Sequence, residues 1–138
     1  MNNIKVAIVE DNNIMRYMLL NFLNQHFETH AFEGGLVFFE WLENTETPDL
    51  VVTDISMPEM NGFELTANLK NSQIFKNIPV IVLSGLDDSQ DRIKCLHLGA
   101  EDYLMKPFNP EELLVKIQKY IKNKSGNEQT SSILYQSK

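Results

Sequence analysis

The chain has 138 residues, 43% of them hydrophobic and 22% charged, which suits one globular domain with a full core. Its formal charge is −7, and Lys122, Lys124 and Lys138 lie near the C-terminus with only Glu128 among them, so the body before them is more acidic still. That balance argues against nonspecific nucleic-acid binding, which needs Lys and Arg to displace counterions from phosphates. A single cysteine, Cys95, excludes an internal disulfide and fits a reducing cytoplasm. The apolar stretch in MNNIKVAIVED is too short for a signal peptide, and no later run approaches membrane-spanning length.

Along the chain, strand and helix signals alternate. Ile4–Val9 (IKVAIV) reads as a buried strand, and Asn12 or Asn13 as the cap of a helix with Ile14, Met18, Phe22 and Leu23 on one face. Glu28–Phe32 (ETHAF) is the second strand, the least apolar of the set. Gly34-Gly35 opens a helix over Leu36–Glu43, rich in large apolar groups, and Pro48 closes the connection to a third strand, Leu50–Thr53 (LVVT). After Asp54, Pro58 and Gly62 punctuate a tight loop, and a helix runs from about Phe63 to about Asn71.

Pro79 precedes the fourth strand, Val80–Leu83 (VIVL), where a missing N–H is tolerable. Asp87 or Asp88 caps the fourth helix and Gly99 stops it. Tyr103–Met105 (YLM) is the fifth strand. Asn109-Pro110-Glu111-Glu112 then starts a helix carrying Leu113, Leu114, Ile117, Tyr120 and Ile121. Alternation of this kind implies parallel strands, right-handed crossovers and a sheet covered on both faces. Beyond about Lys122 the composition turns to Asn, Ser, Gly, Gln and Thr. The expected division is a domain over 1–122 and a linker or tail over 123–138.

Polar residues follow four of the strands: Glu10 and Asp11, Asp54, Ser84 and Lys106. In an open parallel sheet, ligands bind outside the carboxyl ends of the strands, so one crevice collects three carboxylates, a hydroxyl and an ammonium. Neighbouring carboxylates repel, and a divalent cation relieves that cost. Oxygen ligands and phosphate chemistry favour Mg²⁺, or Mn²⁺ in its place. Asp54, alone at its strand end, is the candidate nucleophile toward phosphorus. Lys106 would offset charge on the transferring oxygens, and Ser84 would hydrogen-bond one of them.

Four segments, VAIVEDN (6–12), PDLVVTDISMPEMNGFEL (48–65), IPVIVLSG (78–85) and GAEDYLMKPF (99–108), resemble the receiver domain of two-component response regulators. The resemblance covers roughly residues 3–122. It implies a flavodoxin-like, doubly wound α/β fold, with five parallel strands in order 2-1-3-4-5 and five helices. It also implies a phosphoryl group accepted on Asp54, Mg²⁺ held directly by Asp11 and mostly through water by Glu10, and a metal shell completed by the Ser56 carbonyl. Ser84 matches the switch hydroxyl, Tyr103 the aromatic that follows it inward, Lys106 the phosphoryl partner, and Lys106–Pro107 a cis peptide. Gly85 stands where Ala is usual and leaves more room beside the phosphate. Neither Ser56 nor Leu86 is an acid or amide suited to orienting attacking water, so slow hydrolysis of the phosphoryl group is expected.

The implied partners are a sensor histidine kinase or phosphotransfer protein and an output partner or a C-terminal output domain. A homodimer formed on phosphorylation through helix four, strand five and helix five is also implied, with Arg92, Asp102 and Glu112 as candidate contacts, although Lys116 and His97 depart from the usual pattern there. Ile133-Leu134-Tyr135 in the tail is a candidate docking segment. Such a protein modifies itself and turns over no separate substrate. The other readings fit less well. A haloacid-dehalogenase-type phosphatase needs a second acid at Ser56; a flavin or nucleotide carrier needs an anion-binding loop where Glu10-Asp11-Asn12-Asn13 stands. A docking module that is never phosphorylated would not need all five polar residues. His26, His30 and His97 lack metal-ligand spacing, Cys95 reads as a packed small residue, and the run Asp87-Asp88 to Asp91 as a helix cap and solvated face.

Overall fold

The computed structural model describes residues 4–85 and 89–121. Strands β1 (Lys5–Val9), β2 (Glu28–Phe32), β3 (Leu50–Asp54), β4 (Val80–Ser84) and β5 (Asp102–Met105) form one parallel sheet in the order β2-β1-β3-β4-β5. Helices α1 (Asn13–Leu23), α2 (Gly35–Asn44), α3 (Gly62–Lys70) and α4 (Ser89–His97) alternate with them, and α5 occupies residues 110–121. This is the flavodoxin-like arrangement expected from the sequence. The strands depart from the expected bounds by one residue: β3 and β4 run on to include Asp54 and Ser84.

Every residue of β3 and β4 is buried, because both faces of the central strands are covered. Side chains alternate between the faces. Ala7, Val9, Val51, Val80 and Val82 pack with Phe38, Leu42, Leu65, Leu69 and Cys95, placing α2, α3 and α4 on one side. Val6, Ile8, Leu50, Val52, Ile81 and Leu83 pack with Leu19, Leu23, Leu113 and Ile117, placing α1 and α5 on the other. Among the described residues no helix is long and apolar enough to cross a membrane.

The helix caps follow their sequence signals. Asn12 caps α1, its side chain accepting from Met15 N–H at 2.9 Å. Asn61 and Glu64 form a reciprocal capping box at the start of α3, and the Asn109 side chain accepts from Glu111 N–H at 2.9 Å. Gly99 follows α4 with φ +107°, a left-handed conformation that favours glycine. Asp87 and Asp88, the alternative caps of α4, lie outside the described residues, as do Leu86 and the tail with Ile133-Leu134-Tyr135.

The buried face of α1 differs from the sequence expectation. Ile14 is 82% exposed and Met18 39% exposed, while Leu19 and Leu23 are fully buried, with Met15 and Phe22 packed beside them. The expected set 14, 18, 22, 23 and the observed set 15, 19, 22, 23 both obey helical spacing and share Phe22 and Leu23, so periodicity alone does not choose between 14 and 18 and their neighbours 15 and 19. The choice falls to the rotation at which α1 docks on β1. On α2, Phe38 is fully buried, and Phe39 and Trp41 are partly buried against the same core.

Candidate functional site

Strand order reverses between β1 and β3, since the chain passes from β1 outward to β2 and then returns to β3. The crevice at their carboxyl ends is the natural ligand site of such a sheet. Register then decides which side chains share it. Val9 pairs with Thr53, so Glu10 follows level with Asp54, and Ser84 pairs with Met105, so Lys106 follows one step beyond. The Lys106 N–H donates to the Ser84 carbonyl oxygen at 2.7 Å and carries the β4–β5 pairing onward. The Lys106–Pro107 peptide is cis, as expected.

Lys106 ties the crevice together. Its Nζ lies 3.0 Å from Glu10 Oε1 and 3.2 Å from Asp54 Oδ1. Both carboxylates are nearly out of solvent, Glu10 at 1% and Asp54 at 6% exposure. Glu10 is further held by its backbone N–H donating to Phe32 O (2.9 Å) and by Asn12 N–H donating to its Oε2 (3.1 Å). Asp11 is exposed at the rim, yet one carboxylate oxygen from each of Glu10, Asp11 and Asp54 lies within 4.8 Å of the others. Ser84 is buried at the end of β4, Ser56 and Gly85 are exposed on their loops, and Tyr103 is half-buried on β5. A groove of about 350 Å³ leads from Asp11 past Leu36 to Glu33 and Glu59, opening the site toward α2.

The electrostatics show an unbalanced site. Burial pushes the Glu10 carboxyl above its ordinary value, with Asp54 adding to the rise and Asn12 N–H and Lys106 opposing it. Burial likewise raises Asp54, against the pull of Lys106. Burial works to lower the Lys106 ammonium, but the hydrogen bond to Glu10 and the charges of Asp54 and Glu10 outweigh it and raise its pKa. One ammonium thus serves two buried carboxylates, with Asp11 a third acid at the rim. Glu10, Asp11 and Asp54 together form an oxygen donor set that could hold a divalent cation.

Gly62 sets how closely the next helix approaches. Its N–H donates to Ile55 O at 2.8 Å, and a Cβ there would run into the Asp54 carbonyl oxygen and the Ile55 Cα. The sequence reading took Gly62 for loop punctuation and missed this contact, which appears only once α3 is placed under β3. Arg16 was also missed: its Nη1 donates to Glu10 O (2.9 Å) and Asp11 O (3.3 Å).

The remaining candidates lie elsewhere. His26 and His97 are exposed, and His30 pairs with Glu28 at 2.8 Å. Cys95 is buried in the α4 interface, and burial, with Asp91 nearby, pushes its thiol up to about 11. Asp102 is engaged within the chain, accepting from Lys116 Nζ (3.0 Å) and Tyr120 OH (3.1 Å).

Comparison with known proteins gives the same picture. The family model described as "Response regulator receiver domain" matches residues 6–118. Hybrid signal transduction histidine kinase D of Dictyostelium discoideum is 40% identical over 115 residues, 81% of this chain and 7% of that protein. The signal receiver domain of a signal transduction histidine kinase from Syntrophus aciditrophicus superposes with TM-score 0.80 at 31% identity, covering 86% of this chain and 90% of that one. The receiver domain of a sensor histidine kinase from Pseudomonas aeruginosa PAO1, solved with magnesium coordinated in its active site cleft, superposes with TM-score 0.78 at 25% identity, covering 87% of this chain and 98% of that one. The chain spans from 7% to 53% of the length of the curated relatives it matches.

Proposed function

Because the chain belongs to the response regulator receiver family, we propose that it is a phosphorylation switch with Asp54 as the phosphoacceptor. The observation that carries this reading is the buried Asp54 carboxylate held 3.2 Å from Lys106 beside Glu10 and Asp11. A nucleophile for phosphorus, a cation for the transferred oxygens and acids for a metal are thus in one crevice.

The donor set fits Mg²⁺ or Mn²⁺. Asp11 and Asp54 would hold the ion directly, Glu10 largely through water, and the Ser56 carbonyl would complete the shell; when bound, the ion supplies positive charge to the transferring oxygens. An Asp54 oxygen attacks phosphorus while the bond to the donor's leaving group breaks. Lys106 exchanges its contact with Asp54 for a phosphoryl oxygen. The Ser84 hydroxyl donates to another, and Tyr103 moves inward after it. Since α4, β5 and α5 adjoin these residues, the surface they share changes with phosphorylation. A shift of about 5.5 kcal/mol would take such a switch from 1:99 to 99:1.

In this reading the domain is 1–122, followed by a linker or tail over 123–138. The donor is a sensor histidine kinase or phosphotransfer protein in the cytoplasm, and the output is a partner or a C-terminal domain. The only chemistry is self-modification. Ser56 and Leu86 leave attacking water poorly oriented, so the phosphoryl group persists. Dimerisation on activation competes with the internal Asp102–Lys116 pair, and sedimentation with and without beryllofluoride tests it, an unchanged mass rejecting it.

The central test is labelling by acetyl phosphate and Mg²⁺. The wild type is expected to gain one hydroxylamine-labile phosphoryl group and Asp54→Asn none. Equal labelling of the two proteins would remove Asp54 from the role. No labelling of either would favour a docking module that is never phosphorylated.

A further inference from the structure

We propose that Arg16 is a positioning residue for the cation site, setting the backbone angles of Asp11 and so aiming its carboxylate toward Asp54. The proposal rests on the reading of Glu10, Asp11 and Asp54 as the metal-binding acids.

Arg16 lies in the first turn of α1 and is half-buried. Its Nη1 donates to the carbonyl oxygens of Glu10 (2.9 Å) and Asp11 (3.3 Å), and its Nη2 donates to Asn13 Oδ1 (2.5 Å). The two carbonyls belong to the peptide groups on either side of the Asp11 Cα. Holding the first constrains φ of Asp11 and holding the second constrains ψ, because those are the two soft torsions between rigid peptide planes. Together they set the direction of the Asp11 Cα–Cβ bond, from which its short side chain reaches.

Nothing else performs this task among the described residues. The other bonds of the loop hold Glu10, through Phe32 O and Asn12 N–H, and Asn12, through Met15 N–H. Among the described residues the exposed Asp11 carboxylate makes no hydrogen bond or ion pair, so the backbone-set direction of its Cα–Cβ bond, with the side chain's own short rotations, decides what it reaches. Repulsion from Glu10 and Asp54 drives it outward to solvent, yet its oxygen stays within 4.8 Å of theirs. A guanidinium is suited to the clamp, since its rigid fork spans several acceptors at once, whereas a lysine ammonium is a point charge on a flexible stem.

The test separates geometry from charge with Arg16→Lys and Arg16→Gln in the full chain. Mn²⁺ binding is read directly by electron paramagnetic resonance without any phosphodonor, and labelling by acetyl phosphate is followed as a function of Mg²⁺. Both variants are expected to weaken Mn²⁺ binding about tenfold and to raise the half-saturating Mg²⁺ in proportion, with the rate at saturating Mg²⁺ within about twofold of wild type. A residue with a merely structural part would lower the saturating rate as well. Arg16→Lys that binds like the wild type overturns the clamp and leaves a charge effect, and unchanged binding in both variants overturns any role for Arg16. If the wild type itself binds no Mn²⁺, or Asp11→Asn binds as well as the wild type, the metal reading fails first and this proposal with it.

Discussion

Replacing Lys106 with Met keeps most of the aliphatic stem and removes the one cation between two buried acids. At an effective dielectric of about 20, a charge pair at the observed 3.0 and 3.2 Å is worth about 5 kcal/mol each before desolvation. Much of that gain is offset by burying Lys106 itself, and the acids can answer its loss by taking up a proton. Breaking a buried pair costs about 3–5 kcal/mol, and the 20% exposure of the Lys106 side chain places this case near the lower end, about 3 kcal/mol at pH 7.5 without metal. With a urea slope of about 2 kcal/mol per molar, the unfolding midpoint should fall by about 1.5 M. The loss must shrink in acid. Without the ammonium the folded Glu10 and Asp54 rise further above their ordinary values of 4.5 and 3.8, so the folded variant keeps protons that the unfolded chain releases. Stability therefore falls as pH rises from those ordinary values through the raised ones. Added Mg²⁺ at about 100 times its dissociation constant should restore about 2.7 kcal/mol. Urea titrations at pH 4.5 and 7.5, with and without Mg²⁺, measure all of this. A variant as stable as wild type at pH 7.5, or equally destabilised at both pH values, would refute the reasoning.

The same electrostatics predict that Asp54→Asn melts higher than wild type in metal-free buffer at pH 7.5, because a carboxyl with a raised folded pKa weakens the fold wherever it is ionised; calorimetry should show the gap closing toward pH 4. Gly62→Ala should cost about 2–3 kcal/mol in urea unfolding, since the new Cβ meets backbone at Asp54 and Ile55 that cannot rotate away, and Mn²⁺ binding should weaken with it. Cys95, buried and with a thiol pushed up to about 11, should resist a disulfide reagent at pH 8 in the folded protein and react at once in urea; rapid native labelling would contradict the packing of α4.

The sequence by itself determined the strands of the sheet interior, because β3 and β4 are buried on both faces and so read as unbroken apolar runs ending in Asp54 and Ser84. It also determined the caps at Asn12 and Asn109, since capping is a matter of a few adjacent residues and their local hydrogen bonds. The set Glu10, Asp11, Asp54, Ser84 and Lys106 was legible for a related reason: topology alone brings the ends of these strands to one edge. Tertiary structure decided the rest. Which stripe of α1 is buried depends on the rotation of that helix against the sheet: Phe22 and Leu23 pack as expected, but Met15 and Leu19 complete the buried face while Ile14 and Met18 stay out. The sharing of one ammonium between Glu10 and Asp54 joins residues 96 positions apart on the Glu10 side, and it follows from strand register. The closeness of Gly62 to Asp54 and the grip of Arg16 on the Asp11 peptides depend on ångström-scale placement of backbone against backbone. Local chemistry writes strands, caps and acids into the chain, but distances between segments exist only after the sheet has formed.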